Sequence, residues 1–159
     1  MDPTIISRKF GKKYDWKRRS HREQNLYRAR HGASPLTYDY GYLEKKAQNY
    51  AEYLSNNEIF MHDPSNSANR IGENLAMSSK SQISIMTRSW YEEIQKYNFQ
   101  KCDAQSGCGH FTQMIWKSTT KVGCGVSESR SGIVYMVCKY SPAGNVIGLF
   151  AKNVNPPRK

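Results

Sequence analysis

The spacing of apolar residues predicts three helices in the first hundred positions. The first helix runs from about Tyr14 to His31 and ends before Gly32, with Pro35 just beyond. The next two segments repeat apolar residues every three or four positions, which is typical of a helix with one buried face. These positions are Leu43, Ala47, Tyr50, Ala51 and Leu54 in the second helix, and Ile83, Met86, Trp90, Ile94 and Tyr97 in the third.

The pattern changes to that of β-structure beyond residue 120. Residues 121–127 and 133–140 are rich in strand-forming residues and are separated by ESRSG, which predicts a hairpin. Residue types alone also favour strands in HFTQMIW (110–116) and in VIGLFAKNV (146–154), whereas residues 63–72 have loop chemistry. Because helices precede strands, the predicted fold class is α+β rather than a repeated βαβ arrangement.

Chain length indicates one domain. The 159 residues predict a basic N-terminal arm over 1–13 and a single domain over 14–159, with no internal repeat. No apolar run approaches the roughly 20 residues of a membrane-spanning helix. The first residues lack the apolar core of a signal peptide, so the chain is expected to be either cytosolic or secreted after removal of a leader.

The charge is strongly positive. The formal net charge is +11, and the excess is concentrated near the start of the chain. The basic residues there are Arg8, Lys9, Lys12, Lys13, Lys17, Arg18, Arg19 and Arg22. They form either a solvated helix face or a patch for an anionic lipid, a heparin-like polymer or a nucleic acid. No nucleic acid is expected, because no nucleic-acid-binding motif accompanies the charge. His21 and His31 of the same helix are expected at its surface.

Four cysteines allow three disulfide connectivities. If the hairpin turn centres near Ser131, Cys124 and Cys138 lie directly opposite each other, within disulfide reach. Cys102 and Cys108 then remain to close the short loop CDAQSGC. Two disulfides predict an oxidising compartment, and four reduced cysteines in a cytosolic protein are the alternative. Zinc bound by four thiolates is less favoured, because the sequence has no CxxC pair.

The histidines are candidate metal ligands only if carboxylates lie beside them, since a lone histidine is more often structural than a ligand. At 100° per residue, Glu93 falls roughly 60° from the centre of the third helix's apolar face and Glu92 roughly 160° away. Glu92 is therefore expected to face water, whereas Glu93 borders the core. Glu73 is a second acid beside apolar residues. Spacing alone does not establish that these acids meet His62 and His110.

Four long motifs in the second half resemble the CAP superfamily, which includes cysteine-rich secretory proteins, antigen 5 and plant pathogenesis-related 1 proteins. The motifs are GENLA (72–76), WYEEIQKYNF (90–99), GHFTQMIWKSTTKVGCG (109–125) and VCKYSPAGN (137–145). YRARHGASPL and the closing NVNPP also fit, so the resemblance covers roughly residues 14 to 157. It implies a three-layer α-β-α sandwich with an open cleft, and a short helix rather than a strand at HFTQMIW.

The resemblance also implies a cleft tetrad formed by His62, Glu73, Glu93 and His110. It supports both cysteine pairs predicted above. One departure is Gln24 followed by Asn25, where the family usually has His-Asn, outside the tetrad. The extra disulfides of many secreted members are missing, as is the cysteine-rich extension of the venom and sperm proteins. This pattern is similar to that of the Golgi-associated cytosolic branch, although that branch generally lacks these paired cysteines.

Two imidazoles in an open cleft form a weak Zn²⁺ site, with His62 and His110 as ligands and the two glutamates orienting them. The resemblance also implies binding of a sterol or another lipid through the loop over residues 97–108. Tyr97 and Phe99 are the candidate contacts there, and burial of both in the core is the alternative. An exposed apolar loop on a cationic body would suit an anionic membrane.

The sequence therefore predicts a secreted binding protein rather than an enzyme, with a lipid or sterol and a divalent metal as ligands. An anionic membrane that contacts the basic first helix is a further expected partner. The alternatives are a zinc-dependent hydrolase that uses the same tetrad and a receptor-directed interaction protein. A cytoplasmic, membrane-associated protein is the alternative location.

Overall fold

The computed structural model describes residues 15–159, so the arm predicted over 1–13 lies outside the described part. None of the helices in that part combines the length and hydropathy that crossing a membrane requires. The helices are α1 (Asp15–Arg30), α2 (Tyr42–Asn57), α3 (Asn66–Asn69), α4 (Met86–Glu92), α5 (Gly109–Ile115) and α6 (Phe150–Asn153). The strands are β1 (Thr37–Tyr38), β2 (Gly72–Ser79), β3 (Lys121–Glu128) and β4 (Ile133–Ser141).

The four strands form one sheet in the order β1-β3-β4-β2. β1 runs parallel to β3, and the other two pairings are antiparallel. Helix α2 packs on one face, where Gly123 and Gly125 of β3 let it approach so closely that a Cβ at either position would overlap its backbone. Helices α1, α4 and α5 enclose the larger core on the other face. The fold is therefore the predicted α-β-α sandwich.

Most of the predicted elements are confirmed. The first helix spans Asp15–Arg30, and the second spans Tyr42–Asn57. The third is α4, extended at both ends by the 3₁₀ turns Lys80–Ile85 and Glu93–Lys96. In the β3–β4 hairpin Cys124 lies opposite Cys138, as predicted from the position of the turn.

Two strand predictions were wrong, and one strand was missed. HFTQMIW forms α5, as the resemblance implied; residues 111–115 are all buried, so neither periodicity was visible. Residues 146–154 form a turn and then α6, because only Phe150, Asn153 and Val154 face the core, which is helical spacing. β2 was missed because GENLAMSS begins with Gly, Glu and Asn, which are poor strand formers.

A buried arginine ties α1 to the end of α5. The guanidinium of Arg28 donates to the backbone oxygens of Met114 and Trp116 at 3.0 and 2.8 Å, and to that of Thr119 at 3.0 Å. Burial lowers the pKa of Arg28 to about 10, which still leaves it charged at neutral pH. These bonds hold the end of α5 and the turn after it against α1, and the one to Met114 satisfies a carbonyl that the helix end would otherwise leave unpaired.

Candidate functional site

The first half of the site is the pair formed by His62 and Glu73. His62 lies in the segment after α2, and Glu73 is the second residue of β2. The Nδ1 of His62 donates to Oε1 of Glu73 at 2.6 Å, and the backbone N–H of Asp63 donates to the same oxygen at 3.1 Å. The imidazole is 63% exposed while the carboxylate is 1% exposed. A buried acid therefore holds a histidine that solvent can reach.

A buried lysine lies directly behind this pair. Lys139 stands opposite Glu73 in the β2–β4 register, and its side chain is 1% exposed. Its Nζ donates to Oε2 of Glu73 at 2.5 Å, to Oδ2 of Asp63 at 3.0 Å and to Oδ1 of Asn66 at 2.5 Å. Sequence reasoning missed Lys139 and Asp63. The available signal was a single charged residue inside the apolar run IVYMVCKY, where a buried cation needs an anionic partner.

These contacts set the charge state of the pair. The hydrogen bond to Glu73 raises the pKa of His62 above its ordinary value, against an opposing effect of burial. Burial alone would raise the pKa of Glu73, but hydrogen bonds from His62 and Lys139 outweigh it and lower that pKa. Glu73 is therefore a carboxylate at neutral pH, and His62 is protonated over a wider pH range than a free histidine.

The second half of the site is the pair formed by His110 and Glu93. The Nδ1 of His110, the second residue of α5, donates to Oε2 of Glu93 at 2.8 Å. The backbone N–H of Phe111 donates to the other carboxylate oxygen at 3.0 Å. Glu92 instead points to solvent and pairs with Arg88, as the helical phase predicted. The ring of His110 also stacks on Trp90, with centroids 6.0 Å apart.

The four residues of the predicted tetrad thus form two separate histidine–glutamate pairs. Within residues 15–159, the structure gathers no set of three or more His, Cys, Asp or Glu side chains in an arrangement that could hold a metal ion. In each pair the glutamate engages Nδ1, so Nε2 is the nitrogen left for a ligand. A histidine oriented in this way by a carboxylate is the usual form of a metal-binding imidazole.

A chain of hydrogen bonds between buried polar groups connects the backbone of His110 to α1. The Nδ2 of Asn74 donates to the backbone oxygen of His110 at 3.0 Å and to the hydroxyl of Tyr140 at 3.3 Å. That hydroxyl donates to Oε1 of Gln24 at 2.7 Å. Gln24, the residue that departs from the family pattern, is therefore a core residue that links α1 to β4 and does not touch either histidine–glutamate pair.

The loop over residues 97–108 differs from expectation. Tyr97 and Phe99 do not project beyond the core: Tyr97 is 7% exposed, and Phe99 packs against its ring at 4.9 Å and against Phe111 at 6.3 Å. Of the two interpretations left open by the sequence, the structure favours packing against the core, with Tyr97 buried and Phe99 partly buried in the cluster around α5. The hydroxyl of Tyr97 is buried and finds no hydrogen-bond partner within the described residues.

One of the two predicted disulfides is present. Cys124 and Cys138 are bonded, with an S–S distance of 2.05 Å. Cys102 and Cys108 are free thiols, so the prediction of a second bridge was wrong. Cys102 lies at the surface with its Sγ directed to the backbone oxygen of Phe99, whereas Cys108 is fully buried. The two side chains therefore occupy different environments.

The first helix exposes a basic face, and the histidine that follows its C-terminal end is buried. Arg18, Arg19 and Arg22 are exposed, as the basic-face interpretation requires. His31 was expected at the surface but is buried: its Nδ1 donates to the backbone oxygen of Asn155 at 2.7 Å, and its Nε2 accepts from the hydroxyl of Tyr91 at 2.9 Å. Burial lowers the pKa of His31, although the bond to Asn155 opposes this.

Sequence and structure comparisons agree with this geometry. A family model described as the cysteine-rich secretory protein family, CAP, matches residues 21–140. The chain belongs to the CAP family.

Its relatives include human Golgi-associated plant pathogenesis-related protein 1, which is 44% identical over 138 residues, 85% of this chain and 89% of that protein. Secreted protein PRY1 of Candida albicans is 38% identical over 137 residues, which cover 83% of this chain but only 30% of that longer protein. Among solved structures, the crystal structure of NaASP2 with Zn²⁺ aligns with a TM-score of 0.71 at 28% identity, covering 91% of this chain and 87% of that one.

Proposed function

We propose that this CAP domain is an extracellular binding protein, with a weak site for a divalent transition metal such as Zn²⁺ at its histidine–glutamate pairs. The observation that carries the proposal is the shared geometry of the pairs: each glutamate accepts from Nδ1 and leaves Nε2 for a metal. His62 and His110 would be the ligands, and Glu73 and Glu93 would orient them. Bound Zn²⁺ would supply Lewis acidity and lower the pKa of a coordinated water.

The donor set fits a weak, open site. Neutral imidazole is a good Zn²⁺ ligand, but structural zinc normally has four protein ligands. Both carboxylates are already occupied, Glu73 by His62 and Lys139, and Glu93 by His110 and the Phe111 N–H. Water would therefore complete the coordination. The structure of a relative with Zn²⁺ supports this choice of metal for the test.

Calorimetry with Zn²⁺ tests the metal proposal. We expect binding by the native protein, at least about tenfold weaker binding by His62→Ala or His110→Ala, and none by the double variant. The affinity for Zn²⁺ should decrease as the pH is lowered, because His62 must lose its proton to bind the metal. Since the pKa of His62 is raised, this decrease should begin at a higher pH than for a free imidazole. His21→Ala, which removes a histidine outside the site, is the matched control. Unchanged affinity in the double variant would falsify the proposal.

A second candidate function is carriage of a sterol or another hydroxyl-bearing lipid under the 97–108 loop. The specific observation is the buried, unpartnered hydroxyl of Tyr97, beside Phe99 and Phe111. A hydroxyl of the ligand would satisfy that group, and its apolar body would replace contacts among the rings. Because Tyr97 is buried and Phe99 is partly buried against it, the loop would have to open for entry.

Sterol binding should therefore weaken in Tyr97→Phe, which removes the hydroxyl and keeps the ring, while Glu93→Ala should leave it intact. Native mass spectrometry of protein purified without added ligand would show a retained lipid or metal directly. The reverse pattern, with loss in Glu93→Ala only, would place the ligand at the histidine–glutamate pairs instead.

The alternatives have their own readouts. A zinc-dependent hydrolase would show turnover by lipid-free, Zn²⁺-loaded protein that disappears in the His62→Ala and His110→Ala variants. A receptor-directed protein would retain a protein ligand in both variants. The extracellular assignment is supported by the Cys124–Cys138 disulfide and by the secreted fungal relative; the Golgi-associated relative favours a membrane-associated location inside the cell.

A further inference from the structure

The turn over residues 146–149, here called the apolar turn, exposes a compact group of large apolar side chains. Ile147 is 82% exposed, the highest value among the large hydrophobic side chains within residues 15–159. Val146 and Leu149 beside it are also exposed. The sequence suggested exposed aromatic side chains in the loop over residues 97–108, but Tyr97 is buried there and Phe99 is partly buried, so this turn, and not those rings, exposes large apolar side chains.

The apolar turn is a built feature rather than a frayed end. The backbone N–H of Leu149 donates to the oxygen of Val146 at 3.0 Å, and Gly148 has a φ of 85°, as the third position of a type II turn requires. Before the turn, the side chain of Asn145 donates to the Gly109 oxygen at 2.9 Å. This frame holds Ile147 away from the core.

The chain after the turn is equally well anchored. Phe150 is buried and meets the ring of Trp116 edge-on, with centroids 5.0 Å apart. The side chain of Asn153 donates to the Leu149 oxygen at 2.9 Å and accepts from the backbone N–H of Ser118 at 2.8 Å. The apolar turn is thus fixed between α5 and α6 at both ends.

The segment of chain that carries the apolar turn has charged residues of one sign only. Residues 129–159 contain no Asp or Glu. Lys152 is exposed in α6, directly after the turn, and the exposed Lys117 lies at the same edge, because its backbone N–H donates to the Asn153 oxygen at 3.0 Å. Of the acids on neighbouring elements, Glu93 is held by His110, and Glu73 by His62 and Lys139.

We propose that the apolar turn docks this protein on an anionic lipid bilayer. Val146, Ile147 and Leu149 enter the interfacial region, and Lys117 and Lys152 contact the anionic headgroups. Apolar side chains at the tip of a cationic surface are the combination that binds such membranes, by apolar burial and by attraction to acidic lipid. Three side chains are also far fewer than the 20–30 residues per side of a stable protein–protein interface.

The apolar turn fits this role better than the basic first helix does. Leu26 of α1 is 67% exposed, but it stands alone, and the same helix carries Glu23 and pairs Lys17 with Glu44 at 3.8 Å. The two surfaces therefore offer a direct comparison: each has an exposed apolar residue near basic side chains, and only the turn combines several apolar residues with an acid-free segment.

Co-sedimentation with vesicles of phosphatidylcholine, with and without 30% phosphatidylserine, tests the proposal. The native protein should bind the anionic vesicles and lose affinity as salt rises. Ile147→Ser should weaken binding about tenfold, since it removes the apolar side chain that enters the bilayer. Lys117→Gln with Lys152→Gln should weaken it about 25-fold, near fivefold for each lysine. Leu26→Ser, the matched control on α1, should bind as the native protein does.

Tryptophan fluorescence measures insertion of the turn into the bilayer separately from vesicle binding. Tryptophan emission of Ile147→Trp should be quenched by brominated lipids, whereas Leu26→Trp should show only the quenching of the native protein. Because Ile147 contacts little of the protein, each variant should keep the native melting temperature, which separates lost docking from lost folding. A His62→Ala, His110→Ala double variant should bind vesicles normally, so that this proposal and the metal proposal fail independently.

Three results would overturn the proposal. The first is equal binding of the native protein to neutral and anionic vesicles, or binding to neither. The second is loss of binding in Leu26→Ser with none in Ile147→Ser, which would assign the membrane contact to the first helix. The third is vesicle binding without quenching of Ile147→Trp, which would mean that the turn does not enter the bilayer and is open to a protein partner.

Discussion

Replacing Lys139 by methionine tests the electrostatic design of the first histidine–glutamate pair. Methionine keeps most of the side-chain length but leaves the buried Glu73 carboxylate without its cation. Breaking a buried ion pair by removing one partner costs about 3–5 kcal/mol, because a desolvated charge remains. Three oxygens lie within 3.0 Å of Nζ, so the upper half of that range is expected. The melting temperature should fall by about 10 °C or more.

Arg88→Met is the matched control. Arg88 pairs with Glu92 at 3.3 Å, but both side chains are more than half exposed. An exposed ion pair contributes at most about 1 kcal/mol, so burial is the variable that separates the two substitutions. Urea unfolding at pH 7 measures both. Adding Glu73→Gln to Lys139→Met should restore about half of the lost stability or more, since the uncompensated charge disappears.

The effect should also depend on pH in a defined direction. The lowered pKa of Glu73 means that its contribution to native stability is present above its ordinary value of 4.5 and is lost as pH falls through the folded-state pKa. The difference between native protein and Lys139→Met should therefore shrink as pH falls, and from above about pH 4.5, because burial without the lysine favours the protonated carboxyl. A cost at pH 7 equal to that of Arg88→Met, or one that grows as pH falls, would refute the reasoning.

Three further predictions concern the core and the thiols. Because the pKa of His31 is lowered, its contribution to the free energy of unfolding is intact above about pH 6.5 and declines as pH falls; urea unfolding of His31→Gln between pH 7.5 and 5 should show a flatter profile. Native thiol labelling should modify Cys102 at once and Cys108 only on unfolding, whereas two unreactive thiols in folded and unfolded protein would indicate a bridge. Phe99→Ala should cost about 2–3 kcal/mol in chemical denaturation if the ring packs as described, and close to nothing if it faces solvent.

The sequence predicted the elements whose residue pattern is compatible with a single type of secondary structure. The three long helices have a clear apolar period, and a turn between two β-rich runs placed Cys124 opposite Cys138. The same phase argument separated Glu93 from Glu92 within one helix turn. Where every position is buried, as in α5, the period disappears, and only the family resemblance indicated a helix.

The parts that failed depend on tertiary contacts. Nothing local distinguishes an aromatic ring that leaves a helix and projects from one that folds back, so the sequence left both surface and core positions open for Tyr97 and Phe99. The partner of Lys139 was invisible because β2 was not predicted, and without that strand Glu73 has no neighbour across the sheet. The family resemblance supplied the four site residues but not the lysine that keeps Glu73 ionised.

Gln113 of α5 has a consequence for engineering this protein. Its side chain lies between two glycines: a Cβ at Gly72 would overlap its carbonyl oxygen, and one at Gly144 would lie 2.7 Å from its amide nitrogen. The Gly144 N–H donates to the same oxygen at 2.8 Å, so one amide joins the start of β2, α5 and the segment that leads to the apolar turn. Substitutions at Gly72, Gln113 and Gly144 should therefore disturb the packing of all three segments. A library that seeks new ligand preference should hold these three positions constant and vary the solvent-facing residues around His62 and Ile147, where a new side chain displaces only water.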